Sequence, residues 1–223
     1  MRSATSIEVN GTKVNGTKVN GIEVIGSGAI DAIVIGASAG GIEALSIILP
    51  ALAASAHVAV FVVLHLPREQ PSLLPSIFSA RCELAVREAV QDEPVTPATL
   101  YFAPPDYHLL IDSGPRLVLS VDDPVKYARP SIDVLFESAA DIYGTHLLAL
   151  LLSGGNQDGA EGLRYVKARG GLTIVQQPNT ALVPHMPQAA LDLMTPDAVL
   201  TLPDIAQLLQ SLPDRRRHTF LSS

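Results

Sequence analysis

Three residues of this chain, Ser38, His65 and Asp158, are the types that together activate a hydroxyl for attack on a carbonyl. A serine hydroxyl is a weak nucleophile until an imidazole takes its proton. The imidazole in turn needs a carboxylate to fix its tautomer and stabilise its cation. Far apart in sequence, the three need a fold to join them. Ser38 follows the apolar run 32–35, His65 follows 58–64, and Asp158 comes soon after 147–152. In an open α/β sheet, ligands bind outside the carboxyl ends of the strands, so all three are expected on one edge. The order Ser…His…Asp differs from the Ser…Asp…His of α/β-hydrolases, but geometry rather than order carries the chemistry. Each residue also has a plainer reading. Ser38 suits a tight turn, His65 suits a structural role at a strand end, and Asp158 suits the N-cap of the following helix.

The stretch Gly36-Ala37-Ser38-Ala39-Gly40-Gly41 joins the first strand to a helical pattern of Ile42, Leu45, Ile48, Leu49 and Leu52. Its glycines supply backbone freedom. Unpaired N–H groups and the positive end of a helix dipole meet there, which suits an oxyanion and equally a phosphate. A dinucleotide site fits less well. Ser38 stands where the glycine fingerprint has its second Gly, and Leu64-His65 stands where an acidic residue belongs.

The elements that must position these residues form an α/β pattern. Continuous apolar runs at 32–35, 58–64, 147–152 and 172–176, with a weaker one at 198–202, predict a parallel sheet covered on both faces. Helical patterns cover 42–53, 131–143, 160–168, 188–194 and 204–210. Ser131, with Asp133 two positions on, marks a helix start, and Gly170-Gly171 a stop. Residues 84–121 break the alternation. Short strands at 101–103, 108–111 and 116–121 predict an antiparallel excursion beside the main sheet. The expected fold class is therefore α/β, a doubly wound and mostly parallel sheet with helices on both faces.

The chain has 223 residues, 48 % of them hydrophobic, enough for one sizeable core. The expected division is a flexible Asn/Gly-rich repeat tail at 1–28, one domain at 29–213, and a solvated C-terminal tail at 214–223 holding Arg215-Arg216-Arg217. A net charge of −7 argues against broad nucleic-acid binding. The apolar runs are too short for membrane insertion, and no signal-peptide core opens the chain. Cys82 is the single cysteine, so no intramolecular disulfide forms and a cytoplasmic location is expected. His57, His108, His146 and His185 show no metal-ligand spacing, and no metal is expected.

Taken together, the motifs resemble one family. Ile35-Gly36-Ala37-Ser38-Ala39-Gly40-Gly41, His65-Leu66-Pro67, Tyr101-Phe102-Ala103-Pro104 with Asp106 and His108, Arg129-Pro130-Ser131-Ile132-Asp133-Val134-Leu135-Phe136, Asp158-Gly159-Ala160 and Met186-Pro187 stand in this order. Over 32–212 the chain resembles the catalytic domain of CheB-type protein-glutamate methylesterases, which act on chemotaxis receptors. The resemblance implies a serine hydrolase that removes methyl groups from receptor glutamate esters and also deamidates glutamines, without a cofactor. By position, Ser38 would be the nucleophile, His65 the base and acid, and Asp158 the orienting carboxylate. Ala39 and Gly155 would supply the oxyanion N–H groups. A second reading keeps the fold as a receptor-binding or regulatory module with weakened catalysis.

Three departures bear on that choice. Ala39 replaces a Thr but keeps its N–H. Gly155 and Asn156 replace Met and Gly, and Asn156 is expected to take a positive φ. His185 replaces a Gly and is expected to crowd the cleft. Residues 1–28 are too short for the receiver domain that most relatives carry, so activity is expected without phosphorylation. Asp158→Asn is expected to melt like the wild type yet barely turn over.

Overall fold

The structure, a computed structural model, describes residues 30–65 and 73–215, together with four short strands near the N-terminus. Glu8–Val9 pairs antiparallel with Thr12–Lys13, and Thr17–Val19 with Ile22–Ile25. The rest of 1–29, and with it the reading of a flexible tail, lies outside the described residues, as do Leu66 and Pro67.

From Ala32 the chain runs β1 (Ala32–Ala37), α1 (Gly41–Ile48), β2 (Ala59–Leu64), α2 (Leu74–Ser79), β3 (Ala85–Glu88), β4 (Thr99–Phe102), β5 (His108–Asp112), β6 (Arg116–Ser120) and α3 (Ile132–Tyr143). It continues through β7 (Leu147–Leu151), α4 (Ala160–Ala168), β8 (Leu172–Gln176), α5 (His185–Leu193), β9 (Ala198–Leu200) and α6 (Leu202–Gln210). Seven strands form one sheet in the order β9-β8-β7-β1-β2-β4-β3, every pair parallel. The chain starts at β1, winds outward through β2 to β3 and β4, then returns to the other side of β1 at β7. The topological switch point therefore lies between β1 and β7, where such sheets hold ligands.

Alternation within the strands builds two cores. Ile33, Ile35, Val60 and Val62 face α1, α2 and α6, with Leu45, Ile48, Phe78 and Leu208. Ala32, Val34, Phe61 and Val63 face α3, α4 and α5, with Phe136, Leu163 and Met186. Every residue of β1, β2 and β7 is buried, as the apolar runs require. Among the described residues, no helix is long and apolar enough to cross a membrane.

Three features differ from the expectation. Residues 84–121 divide in two. Ala85–Glu88 and Thr99–Phe102 extend the main sheet in parallel, and only β5 and β6 form an antiparallel hairpin. That hairpin packs Leu109 and Leu117 over the α3 side of the sheet. The first helix stops at Ile48 and tightens to a 3₁₀ turn at Leu49–Ala51, because Pro50 lacks a donor. At the C-terminus, Arg215 is docked rather than solvated. Its side chain reaches Ile30 O at 3.1 Å and pairs with Asp31, while Arg216 and Arg217 lie outside the described residues.

Candidate active site

Asp158 is the best-held residue of the three. Its carboxylate is fully buried and receives four hydrogen bonds. Oδ2 accepts from His65 Nε2 at 2.9 Å and from Ile132 N–H at 2.7 Å. Oδ1 accepts from Ser131 Oγ at 2.9 Å and from Asp133 N–H at 3.2 Å. Ser131 is the N-cap of α3, so the carboxylate sits on that helix's free N–H groups and positive dipole end. Burial pushes the Asp158 carboxyl up. The bonds from His65 and Ile132, with the histidine charge, outweigh it and hold the group below the ordinary carboxylate value.

The N-cap reading of Asp158 does not hold. Gly159 is the N-cap of α4, and no side chain caps that end from within its own turn. The cap comes from Asp133, whose Oδ1 accepts from Gly159 N–H at 2.9 Å and Gly162 N–H at 2.7 Å. The two aspartates thus exchange helices: Asp158 closes the start of α3 and Asp133 the start of α4. The helices come this close because Gly162 has no side chain; a Cβ there would lie 2.8 Å from that of Phe136. Burial raises Asp133 most, the charge of Asp158 adds to it, and the bond from Lys126 Nζ at 2.7 Å offsets only part.

His108 supports the same junction from below. Its Nδ1 accepts Ser131 N–H at 3.1 Å, so the ring proton is on Nε2, which donates to Asp123 O at 3.2 Å. Gly36 opens the space on the strand side, since a Cβ there would lie 2.3 Å from Ile132 Cγ2. Gly36 therefore contributes room and not backbone freedom; Gly40, at φ 80, is the glycine of this turn that needs the left-handed region.

Ser38 and His65 leave adjacent strands at matching height. Ala37 pairs with Leu64 in the β1–β2 register, and His65 N–H donates to Ala37 O at 3.1 Å. The structure brings His65 and Asp158 into contact and sets Ser38 beside His65 on the same edge, without a hydrogen bond between their side chains. His65 Nε2 is committed to Asp158, which leaves Nδ1 as the nitrogen for a hydroxyl. Ser38 is half-buried, while Ala39 and Gly155 are exposed. Among the described residues, neither Ala39 N–H nor Gly155 N–H is taken by a hydrogen bond.

Ser153 joins the two loops that carry these donors. Its carbonyl accepts Ser38 N–H at 2.9 Å, and its Oγ donates to Ala39 O at 2.7 Å and accepts Val183 N–H at 2.9 Å. Gln176 Oε1 in turn accepts Ser153 N–H at 2.9 Å. Sequence reading missed both, since a lone polar residue closing an apolar run signals only a strand end. Asn156 also differs from expectation. It is absent from the positive-φ residues, and its Oδ1 accepts Asp158 N–H at 3.2 Å. His185 begins α5, is exposed, and lines a groove of about 420 Å³ with Lys126 and Gln157 that neither Ser38 nor His65 enters.

Comparison with known proteins defines the class. The CheB methylesterase family model matches residues 33–209, and the chain belongs to that family. The catalytic domain of Thermotoga maritima CheB methylesterase superposes with a TM-score of 0.78 at 32 % identity, covering 82 % of this chain and 99 % of that one. A Clostridium acetobutylicum protein named protein-glutamate methylesterase/protein-glutamine glutaminase is 34 % identical over 80 % of this chain and 52 % of its own length. The chain thus spans about half of that relative. It covers 92 % of a Leptospira interrogans relative that is 40 % identical over 178 residues.

Proposed function

We propose that this protein is a protein-glutamate methylesterase acting on chemotaxis receptors, with Ser38, His65 and Asp158 as its catalytic residues. The observation that carries the reading is the buried Asp158 carboxylate bonded to His65 Nε2 at 2.9 Å beside the Ser38 turn. Asp158 fixes the ring so that Nδ1 is free to accept a proton. Ser38 Oγ attacks the ester carbonyl carbon while its proton passes to His65 Nδ1, and the carbonyl oxygen becomes an oxyanion facing the N–H groups of Ala39 and Gly155. The tetrahedral species collapses, and His65 returns the proton to the departing methoxide, which leaves as methanol. Water then attacks the acyl-serine with His65 again as base, restoring Ser38 and releasing glutamate. A glutamine side chain follows the same path with ammonia as leaving group. The hydrogen bond from Ser38 to His65 forms with substrate in place. No step calls on a cofactor, and the cytoplasm is the fitting compartment for a chain whose only cysteine is Cys82.

The test is methanol release from a chemoreceptor cytoplasmic fragment methylated on its glutamates. Release that scales with enzyme and falls to a small residual rate in Ser38→Ala is expected. Binding of the fragment without methanol release would leave a receptor-binding module instead.

A further inference from the structure

The turn that precedes α3 exposes an aromatic ring at a conformational cost. Lys126 and Tyr127 have φ of 48° and 65°, both left-handed, between Val125 and Ala128, which bond to each other in both directions at 3.1 and 2.8 Å. Positive φ at both central positions marks a type I′ turn, where Asn-Gly is the unstrained choice. Tyr127 is 98 % exposed, and among the described residues its side chain makes no hydrogen bond or ring contact. Its neighbours hold the turn rigid. Lys126 is ion-paired to Asp133 at 2.7 Å, inside the aspartate exchange that anchors Asp158. Arg129 donates to Val121 O at 2.7 Å and to Asp106 Oδ1 at 2.9 Å.

A second exposed apolar side chain stands at the Ser38 turn itself. Leu182 is 74 % exposed, yet its Cβ lies 2.7 Å from where a Cβ on Gly40 would sit, so it borders the Ser38 turn. Val121, 67 % exposed, adds to the Tyr127 side. A glutamate side chain reaches only about 4–5 Å from its Cα to its carboxyl carbon by standard bond lengths. A polypeptide delivering such an ester to Ser38 must therefore rest on the surface around the Ser38 turn, since a helix with side chains is about 10–12 Å across.

We infer that Tyr127, next to the Lys126–Asp133 pair that adjoins Asp158, is a docking residue for the esterified receptor segment, with Leu182 at the Ser38 turn as a second point of contact. This rests on the esterase reading. Tyr127 touches the receptor chain beside the ester and not the reacting atoms. The braced turn presents the ring with little freedom left to lose on binding, which is what makes an exposed aromatic an effective anchor.

The experiment compares two substrates, the methylated chemoreceptor fragment and N-acetylglutamate γ-methyl ester, in wild type, Tyr127→Gly and Tyr127→Phe. Glycine suits the φ of this position, so Tyr127→Gly keeps or raises the melting temperature. With the receptor fragment, its kcat/KM is expected to fall about tenfold, chiefly through KM, as for an aromatic interface anchor. With the small ester its rate stays at the wild-type level, and Tyr127→Phe keeps both activities. Unchanged kcat/KM on the receptor fragment, or equal losses on both substrates, would overturn the inference. So would a Tyr127→Gly protein whose only change is loss of self-association on a sizing column, which would make the patch a contact between copies. Were the wild type itself inactive on the receptor fragment, the esterase reading would fail and this inference with it. An active wild type matched by Tyr127→Gly would remove the docking role alone.

Discussion

The two sides of the site handle charge in opposite ways. On the aspartate side, a permanent negative charge is fully buried and receives four hydrogen bonds, three of them from residues 131–133 at the start of α3. On the serine side, Ala39 and Gly155 keep their N–H groups unpartnered in an exposed turn and loop. A charge present throughout the cycle gains from donors that are always bound. A charge that exists only in the transition state needs donors held in place and left empty, so that they do no work on the ground state. Ser153 reconciles the two demands. It fixes the loops through their other backbone groups and leaves the N–H groups of Ala39 and Gly155 alone.

Changes on the serine side should therefore cost rate with little stability. Ser38→Ala should have the largest effect, leaving only a rate of roughly 10³–10⁴-fold over water from binding and the oxyanion donors. Its melting curve should match the wild type, since a half-buried hydroxyl without a partner is removed. A large drop in melting temperature would mean that the serine side is braced after all.

Asp158→Asn should cost both rate and stability, which revises the expectation from sequence. Oδ2 faces two N–H donors, His65 Nε2 and Ile132 N, and Oδ1 faces Asp133 N and Ser131 Oγ. Whichever way the asparagine turns, its NH₂ meets a backbone N–H. The expected loss is about 10⁴-fold in kcat, the size seen when serine proteases lose the charge of their triad carboxylate, with about 1–3 kcal/mol of stability for the unpaired donor. Urea unfolding alongside methanol release checks both, and a variant as stable as wild type would contradict this view of the junction.

Asp133→Ala leaves two buried N–H groups of α4 without an acceptor and should cost about 2–4 kcal/mol. The pH dependence separates the two aspartates. Asp158, held low, contributes stability that is present above the ordinary carboxylate value and is lost as pH falls through its native value. Asp133, held high, binds its proton more tightly in the native state. Its contribution therefore declines as pH rises from the ordinary carboxylate value through its native one. Asp133→Asn should flatten that decline in urea titrations across acidic pH, and an unchanged slope would contradict the assignment.

The smallest effect is expected from Gly155→Met combined with Asn156→Gly. A Cβ at Gly155 meets only Val183 Cγ1, at 3.9 Å, and Asn156 needs no positive φ, so on the proposed reading the present loop can already offer its N–H. No gain in rate should follow. A rise of about 10²-fold, the worth of one oxyanion donor, would show that the present loop fails to supply it.

What could be read from sequence follows the same division. The placing of Ser38, His65 and Asp158 at one edge of the sheet was legible because each ends a strand or its loop, and β1, β2 and β7 are continuous apolar runs. The start of α3 was legible from Ser131. The exchange between Asp158 and Asp133 was not, because it depends on two helix starts far apart in sequence, at Ile132 and Ala160, meeting across Gly162. The edge strand Ala85–Glu88 was hidden for another reason. It alternates exposed and half-buried residues, so it lacks the apolar run that betrays a central strand.

The most direct test of the catalytic assignment is a kinetic cycle of Ser38→Ala, His65→Ala and the double variant, measured by methanol release from the methylated receptor fragment. Residues acting as one unit are grossly non-additive. If Ser38 is the nucleophile and His65 serves only to activate it, the double variant should be no slower than Ser38→Ala alone. Losses that multiply across the two sites would show that Ser38 and His65 act independently.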